Sequence, residues 1–96
     1  MRGEAPGAWS VEFTRSALRE FLRLGTSTRE RIAESLEWLA AHPRSSVLDI
    51  KKLRAPVPVF RLRVGDYRVV YELKSDRLII LVVRVRHRSW VYRGLR

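Results

Sequence analysis

The chain contains no cysteine. That excludes disulfide frameworks, thiol nucleophiles and thiolate metal sites, and it suits a reducing compartment. Histidine is nearly as scarce. His42 and His87 stand 45 residues apart, too few and too separated for an ordinary metal site, so neither a metal nor a cofactor is expected. Long apolar runs are missing as well: Leu78 to Val83, the longest, has six residues against the roughly 20 a bilayer crossing requires. Met1 to Ala8 lacks the apolar stretch of a secretory signal and is expected to be a loose arm before a single domain over 9–96. These shortages point to a cytoplasmic protein with no membrane partner. Acid is the remaining deficit, 10 residues against 20 Lys and Arg, for a formal charge of +10.

What the chain has in excess is arginine, 17 of its 20 basic residues. Residues 1–48 hold 7 basic and 6 acidic side chains, while residues 49–96 hold 13 and 4. A GC-rich coding sequence inflates arginine everywhere but does not concentrate it in one half. The C-terminal half is therefore expected to face an anionic partner.

Residue periodicity supplies the elements that carry this charge. Trp9 to Phe13 alternates, with Trp9, Val11 and Phe13 on one side, and reads as a short strand. Thr14 is a candidate N-cap for a helix through Leu24, with Ala17, Leu18, Phe21 and Leu22 at helical spacing and Gly25 as a left-handed C-cap. Ser27-Thr28-Arg29-Glu30 has the form of a capping box, predicting a second helix with the stripe Ile32, Ala33, Leu36, Leu39 and Ala40, ended by Pro43. Arg44 to Pro58 reads as a connection. Val59 to Val64, Tyr67 to Leu73 and Leu78 to Arg86 are rich in branched and aromatic residues and predict a three-strand antiparallel meander. The order β-α-α-β-β-β is an α+β layout, an N-terminal strand and a helix hairpin packed on one face of an antiparallel sheet.

If Gly65-Asp66 is a two-residue hairpin loop, Arg63 faces Arg68 and Leu62 faces Val69. Phe60, Leu62, Val64, Tyr67, Val69, Tyr71 and Leu73 then share one face, and Arg61, Arg63, Arg68, Val70 and Glu72 the other. Pairing Leu73 with Ile79 extends the pattern. It places Ile79, Leu81, Val83 and Val85 on the apolar side, Arg84 and Arg86 on the basic side, and Arg84 opposite Arg68. Like charges directly opposite cost a few tenths to about 1 kcal/mol per pair, so a sheet selected for stability alone avoids them. A merely solvated face would mix signs, whereas Glu72 is the only acid expected on this one. A surface for phosphates, whose geometry the arginine fork matches, accounts better for the set. The segment Arg86-His87-Arg88-Ser89-Trp90-Val91-Tyr92 adds titratable and aromatic groups suited to single-stranded RNA. Parity turns His87 toward the helix side, Trp90 is assigned to packing, and Tyr92 is equally suited to packing or base stacking.

Lys52-Leu53, the run Val59-Phe60-Arg61-Leu62-Arg63-Val64-Gly65-Asp66-Tyr67-Arg68-Val69-Val70-Tyr71-Glu72, and Arg86-His87-Arg88 with Val91-Tyr92 resemble the RelE/ParE toxin superfamily, in particular its RelE branch. The resemblance spans about Trp9 to Arg93. It implies a type II toxin that enters the ribosomal A site and cuts mRNA by attack of a ribose 2′-hydroxyl on the adjacent phosphate, without metal or cofactor. By position, Arg61, Arg68, Arg88 and Tyr92 take catalytic roles, and Lys52, Arg63, Arg84, Arg86 and His87 contact RNA. It also implies a cognate acidic antitoxin, with the toxin either monomeric or bound in a toxin–antitoxin hetero-oligomer. One departure bears on mechanism. Relatives commonly carry lysines where this chain has Arg61 and Arg63, and a guanidinium with a pKa above about 12 is a poor proton acceptor. Proton transfer then falls to Tyr92 or His87, or catalysis is chiefly electrostatic. The alternative functions are a ParE-like inhibitor of DNA gyrase and a catalytically weak homologue that binds nucleic acid or antitoxin.

Overall fold

A computed structural model describes residues 9–44 and 46–89. Its elements are β1 (Ser10–Phe13), α1 (Arg15–Leu22), α2 (Thr26–Ala41), β2 (Asp49–Lys52), β3 (Val59–Val64), β4 (Tyr67–Lys74) and β5 (Ile79–His87). The five strands form one sheet in the order β1-β5-β4-β3-β2. The α+β layout is as expected, with two differences. β1 runs parallel to β5, so the sheet is mixed rather than antiparallel, and the connection between α2 and β3 contains the edge strand β2. Pro56 and Pro58 lie after β2 and leave it free to pair.

Thr14 caps α1 as its residue type predicts, its Oγ1 accepting the Ala17 N–H at 3.1 Å. The α1–α2 junction departs from prediction. Gly25 has φ −64° and serves as the N-cap of α2, and no side chain caps that helix, so the Ser27 capping box is not formed. Arg29 Nη1 instead donates to the Leu24 carbonyl at 2.8 Å, satisfying an acceptor at the end of the first helix. Ala17 from α1 and Ile32, Leu36 and Leu39 from α2 pack with Leu62, Val64, Val69, Tyr71, Ile80, Val82 and Val85 in one core. Leu18 and Leu22 remain exposed.

The β3–β4 register is as expected: Val64 pairs with Tyr67, Arg63 with Arg68 and Leu62 with Val69. Gly65 supplies the required positive φ, 59°, at the first central turn position, the pattern of a type II′ hairpin. The β4–β5 register differs. Leu73 pairs with Ile80 rather than Ile79, and a bulge between Val70 and Tyr71 of the ladder leaves Val83 without a partner. Ile80 and Val82 are therefore the core residues in the first half of β5, in place of Ile79, Leu81 and Val83. Val85 remains on the core side.

Candidate nucleic-acid interface

The face of the sheet opposite the helices is built from two cross-strand rows. One runs Asp49, Arg63, Arg68, Arg86; the other runs Lys51, Arg61, Val70, Arg84. Directly paired residues share a face, so five arginines are gathered on one side. The residue opposite Arg68 on β5 is Arg86, not Arg84 as the simple register predicts, because the loop and the bulge each displace the partner by one. Lys52 is placed differently from the arginines. It pairs with Phe60, whose ring stacks on buried Tyr71, which puts Lys52 on the helix side and Lys51 on the arginine side.

Three adjacent guanidinium groups in one row repel unless each finds its own acceptor. The row does this in three ways. Arg63 lies 4.0 Å from Asp49 Oδ2, and Arg61 in the next row donates to Asp49 Oδ1 at 3.1 Å. Arg86 Nε donates to Glu20 Oε2 at 2.6 Å. Arg68, between them, turns to the backbone: its Nη1 donates to the carbonyls of Gly65 at 3.3 Å and Tyr67 at 3.2 Å. Arg68 is only 5% exposed, and its buried Nε has no hydrogen-bond partner among the described residues. A buried charged group with an unused donor is expensive, because desolvation is not offset by a bond.

Asp49 and Glu20 escaped sequence reasoning for distinct reasons. Asp49 faces Arg63 only through β2, which has four residues and lies in a stretch dominated by loop signals. Glu20 reaches β5 across 66 residues of sequence, beyond any local pattern. The face thus carries Asp49 and Glu72, with Glu72 bound to Lys74 at 3.2 Å, rather than Glu72 alone.

At the end of β5, Arg88 donates its N–H to the Asp66 carbonyl at 2.8 Å, which places it beside the β3–β4 turn. His87 pairs with Tyr67, the two rings meeting edge to face at 5.5 Å, and its Nδ1 lies 3.2 Å from Ser89 Oγ. The side chains of Arg88 and His87 are exposed. Tyr71 is the phenol nearest the centre of the sheet, but burial pushes its pKa up to about 12, so it stays protonated at neutral pH. Tyr92, expected to take part in catalysis, lies outside the described residues, as does Trp90.

Two helices and five strands in an α+β fold, with a row of arginines across the open sheet face, define a small basic module suited to an anionic partner. A family profile described as the ParE toxin of type II toxin–antitoxin systems matches residues 11–92, and the chain belongs to this RelE/ParE superfamily of type II toxins. Individual relatives place it on the RelE-like branch. The mRNA interferase toxin RelE of Escherichia coli K12 is 32% identical over 89 residues, covering 88% of this chain and 90% of the relative. A putative toxin RelE1 of Methanocaldococcus jannaschii is 29% identical over 87 residues, covering 90% and 97%. Among solved structures, the isolated E. coli RelE toxin superposes with a TM-score of 0.67 at 30% identity, covering 92% of this chain and 95% of the other. The archaeal RelE in complex with RelB from Pyrococcus horikoshii OT3 shares the fold with a TM-score of 0.75 at 22% identity, over 88% and 99%.

Proposed function

We propose that this protein is a ribosome-dependent endoribonuclease that cleaves mRNA in the A site and is silenced by an acidic antitoxin. The observation that carries the reading is the arginine row itself, Arg63, Arg68 and Arg86 across three strands with Arg61 and Arg84 in the row beside it, all on one face of the sheet. Phosphate oxygens are the acceptors that suit such a set of guanidinium groups. The relatives named mRNA interferase support the same reading.

Attack by a 2′-hydroxyl on its own phosphodiester needs in-line alignment, stabilisation of charge on the phosphorane oxygens, and transfer of one proton in and one out. Arg61, Arg63, Arg68 and Arg86 supply alignment and charge from a rigid sheet, with Arg84 extending the cationic surface along β5 and Arg88 just past the strand's end, beside the β3–β4 turn. Guanidinium groups donate hydrogen bonds and do not serve as bases. An imidazole can relay a proton, and His87, exposed at the strand end beside the arginine row, is the candidate for that step together with Tyr92. Lys52 lies on the reverse side of the sheet, and Lys51, on the arginine side, is better placed to meet RNA at the edge strand.

An antitoxin of acidic character follows from the charge, since a surface of +10 binds RNA without selection until it is neutralised. Exposed Leu18 and Leu22 on α1, and a groove lined by Val11, Phe13, Phe21, Ala33 and Leu36 with Glu37 as its one acid, give such a partner hydrophobic anchorage.

The test is to add purified protein to programmed, stalled ribosomes and map mRNA ends. Cuts confined to the A-site codon are expected. Intact mRNA under conditions where a known relative cuts defeats the reading, and stalled gyrase–DNA complexes formed when the purified protein is added to gyrase would assign it to the gyrase-inhibiting class.

A further inference from the structure

The outer edge of β5 changes neighbour halfway along. β1 pairs with Ile79 to Val82 and ends as the Thr14 N–H donates to the Val82 carbonyl at 2.9 Å. Beyond that point β1 no longer supplies a strand to satisfy the edge. α1 starts at Arg15 and brings Glu20 alongside the exposed stretch. Its side chain is 17% exposed and the carboxylate uses both oxygens: Oε1 accepts the Val85 N–H at 2.7 Å and Oε2 accepts Arg86 Nε–H at 2.6 Å. Arg23 and His87 line the same cavity of about 300 Å³ with Glu20, Val85 and Arg86.

We propose that Glu20 is a positioning residue for the phosphate-binding row, acting through Arg86; the inference rests on the RNA-cleaving function proposed above. Capping one edge amide needs one carboxylate oxygen. The second holds the Nε side of a guanidinium that belongs to the Arg63–Arg68–Arg86 row. A free arginine side chain must surrender substantial rotamer entropy to meet a phosphate, and a guanidinium already held in plane surrenders less. The bond to Val85 lies two residues past the Val83 bulge and holds β5 in the register that returns Arg84 and Arg86 to the arginine face. Glu20 thereby converts an irregular strand end into a fixed support for the reacting phosphate.

The substitution Glu20→Gln separates the two bonds, because its amide oxygen can still accept the Val85 N–H while its NH2 cannot accept from Arg86. In single-turnover cleavage on programmed ribosomes, Glu20→Gln is expected to lower the rate at saturation about 10- to 100-fold, with half-saturation unchanged. Charge counting alone predicts the opposite direction, since removing an acid strengthens attraction to RNA. In an Arg86→Ala background the same change is expected to have no further effect. An equal loss in both backgrounds, or wild-type cleavage by Glu20→Gln, overturns the proposal. A second readout is independent of cleavage. In ¹H–¹⁵N spectra the Arg86 Nε–H signal is expected to be protected from exchange in the wild type, lost in Glu20→Gln, and retained when a single-stranded RNA oligonucleotide is added. Displacement of that signal by RNA would make Glu20 a competitor of phosphate and sink the positioning role, whereas a wild type that keeps the signal but cuts no mRNA fails only the nuclease assignment.

Discussion

Arg68 offers the sharpest separation of function from stability. Replacing it with methionine keeps a long, unbranched side chain and removes the charge. The two hydrogen bonds lost, to the Gly65 and Tyr67 carbonyls at 3.3 and 3.2 Å, are long, so each is worth about 1 kcal/mol or less. Opposing them is the cost of holding a guanidinium at 5% exposure, several kcal/mol before compensation, and repulsion from Arg63 and Arg86 on either flank, about 0.2–1 kcal/mol each. Arg68→Met is therefore expected to unfold in urea within about 1 kcal/mol of the wild type or above it. Arg68→Ala, which also vacates packed volume, should lose about 1–2 kcal/mol. A solvent-facing arginine would lose almost nothing on the same truncation, so the burial of Arg68 revises what its position in the sequence pattern suggests. Cleavage should fall about 100- to 1000-fold in both variants, the usual loss when a donor to a developing oxyanion is removed. Paired measurements of urea unfolding and single-turnover cleavage decide the matter. If Arg68→Met loses more than about 3 kcal/mol, the guanidinium is chiefly a structural group; if it cleaves at the wild-type rate, the phosphate assignment is refuted.

Removing the carboxylate shared by Arg61 and Arg63, with Asp49→Ala, should tighten binding of a single-stranded RNA oligonucleotide several-fold at low salt and steepen its salt dependence, measured by fluorescence anisotropy. Because Asp49 is 54% exposed, the same change should move stability by less than about 1 kcal/mol. Tyr71 binds its proton more tightly folded than unfolded, with a pKa near 12 against 10.0, so its contribution is complete below pH 10 and is lost as pH rises from 10 toward 12. Alkaline denaturation should accordingly show a decline of about 2–3 kcal/mol across that window, and Tyr71→Phe should flatten it. Gly65→Ala should cost about 1–2 kcal/mol in thermal unfolding, from the positive φ of 59°, because the nearest atom to a new Cβ is the mobile Arg31 Nη2 at 3.2 Å.

How far sequence reached is best judged at β5. A hairpin is a local object, and Gly65-Asp66 determines the pairing of β3 with β4 residue for residue. The next hairpin has a four-residue turn that includes Leu78 at φ 55°, a conformation leucine seldom adopts, stabilised where the Leu78 carbonyl accepts the Ser10 N–H at 2.9 Å. That bond belongs to the parallel β1–β5 edge, which no local pattern announces. The loop and bulge shift the pairing by one residue near the turn and by two beyond Val83. A shift of one exchanges the faces, which is why Ile80 and Val82 fill the core in place of Ile79 and Leu81. A shift of two restores them, which is why Arg84 and Arg86 occupy the expected face although their partners are different. The arginine set was legible because the two one-residue shifts, at the loop and at the bulge, cancel in parity and return Arg84 and Arg86 to the face that simple alternation assigns them. The order within it, Arg86 beside Arg68 and Glu20 against Arg86, depends on a bulge and on a contact spanning 66 residues. The same distinction separates charge from arrangement in this protein: alternation along the strands collects the cations, while the acceptors around them, Asp49 and Glu20 from distant elements and the turn carbonyls of Gly65 and Tyr67, decide how each guanidinium is held.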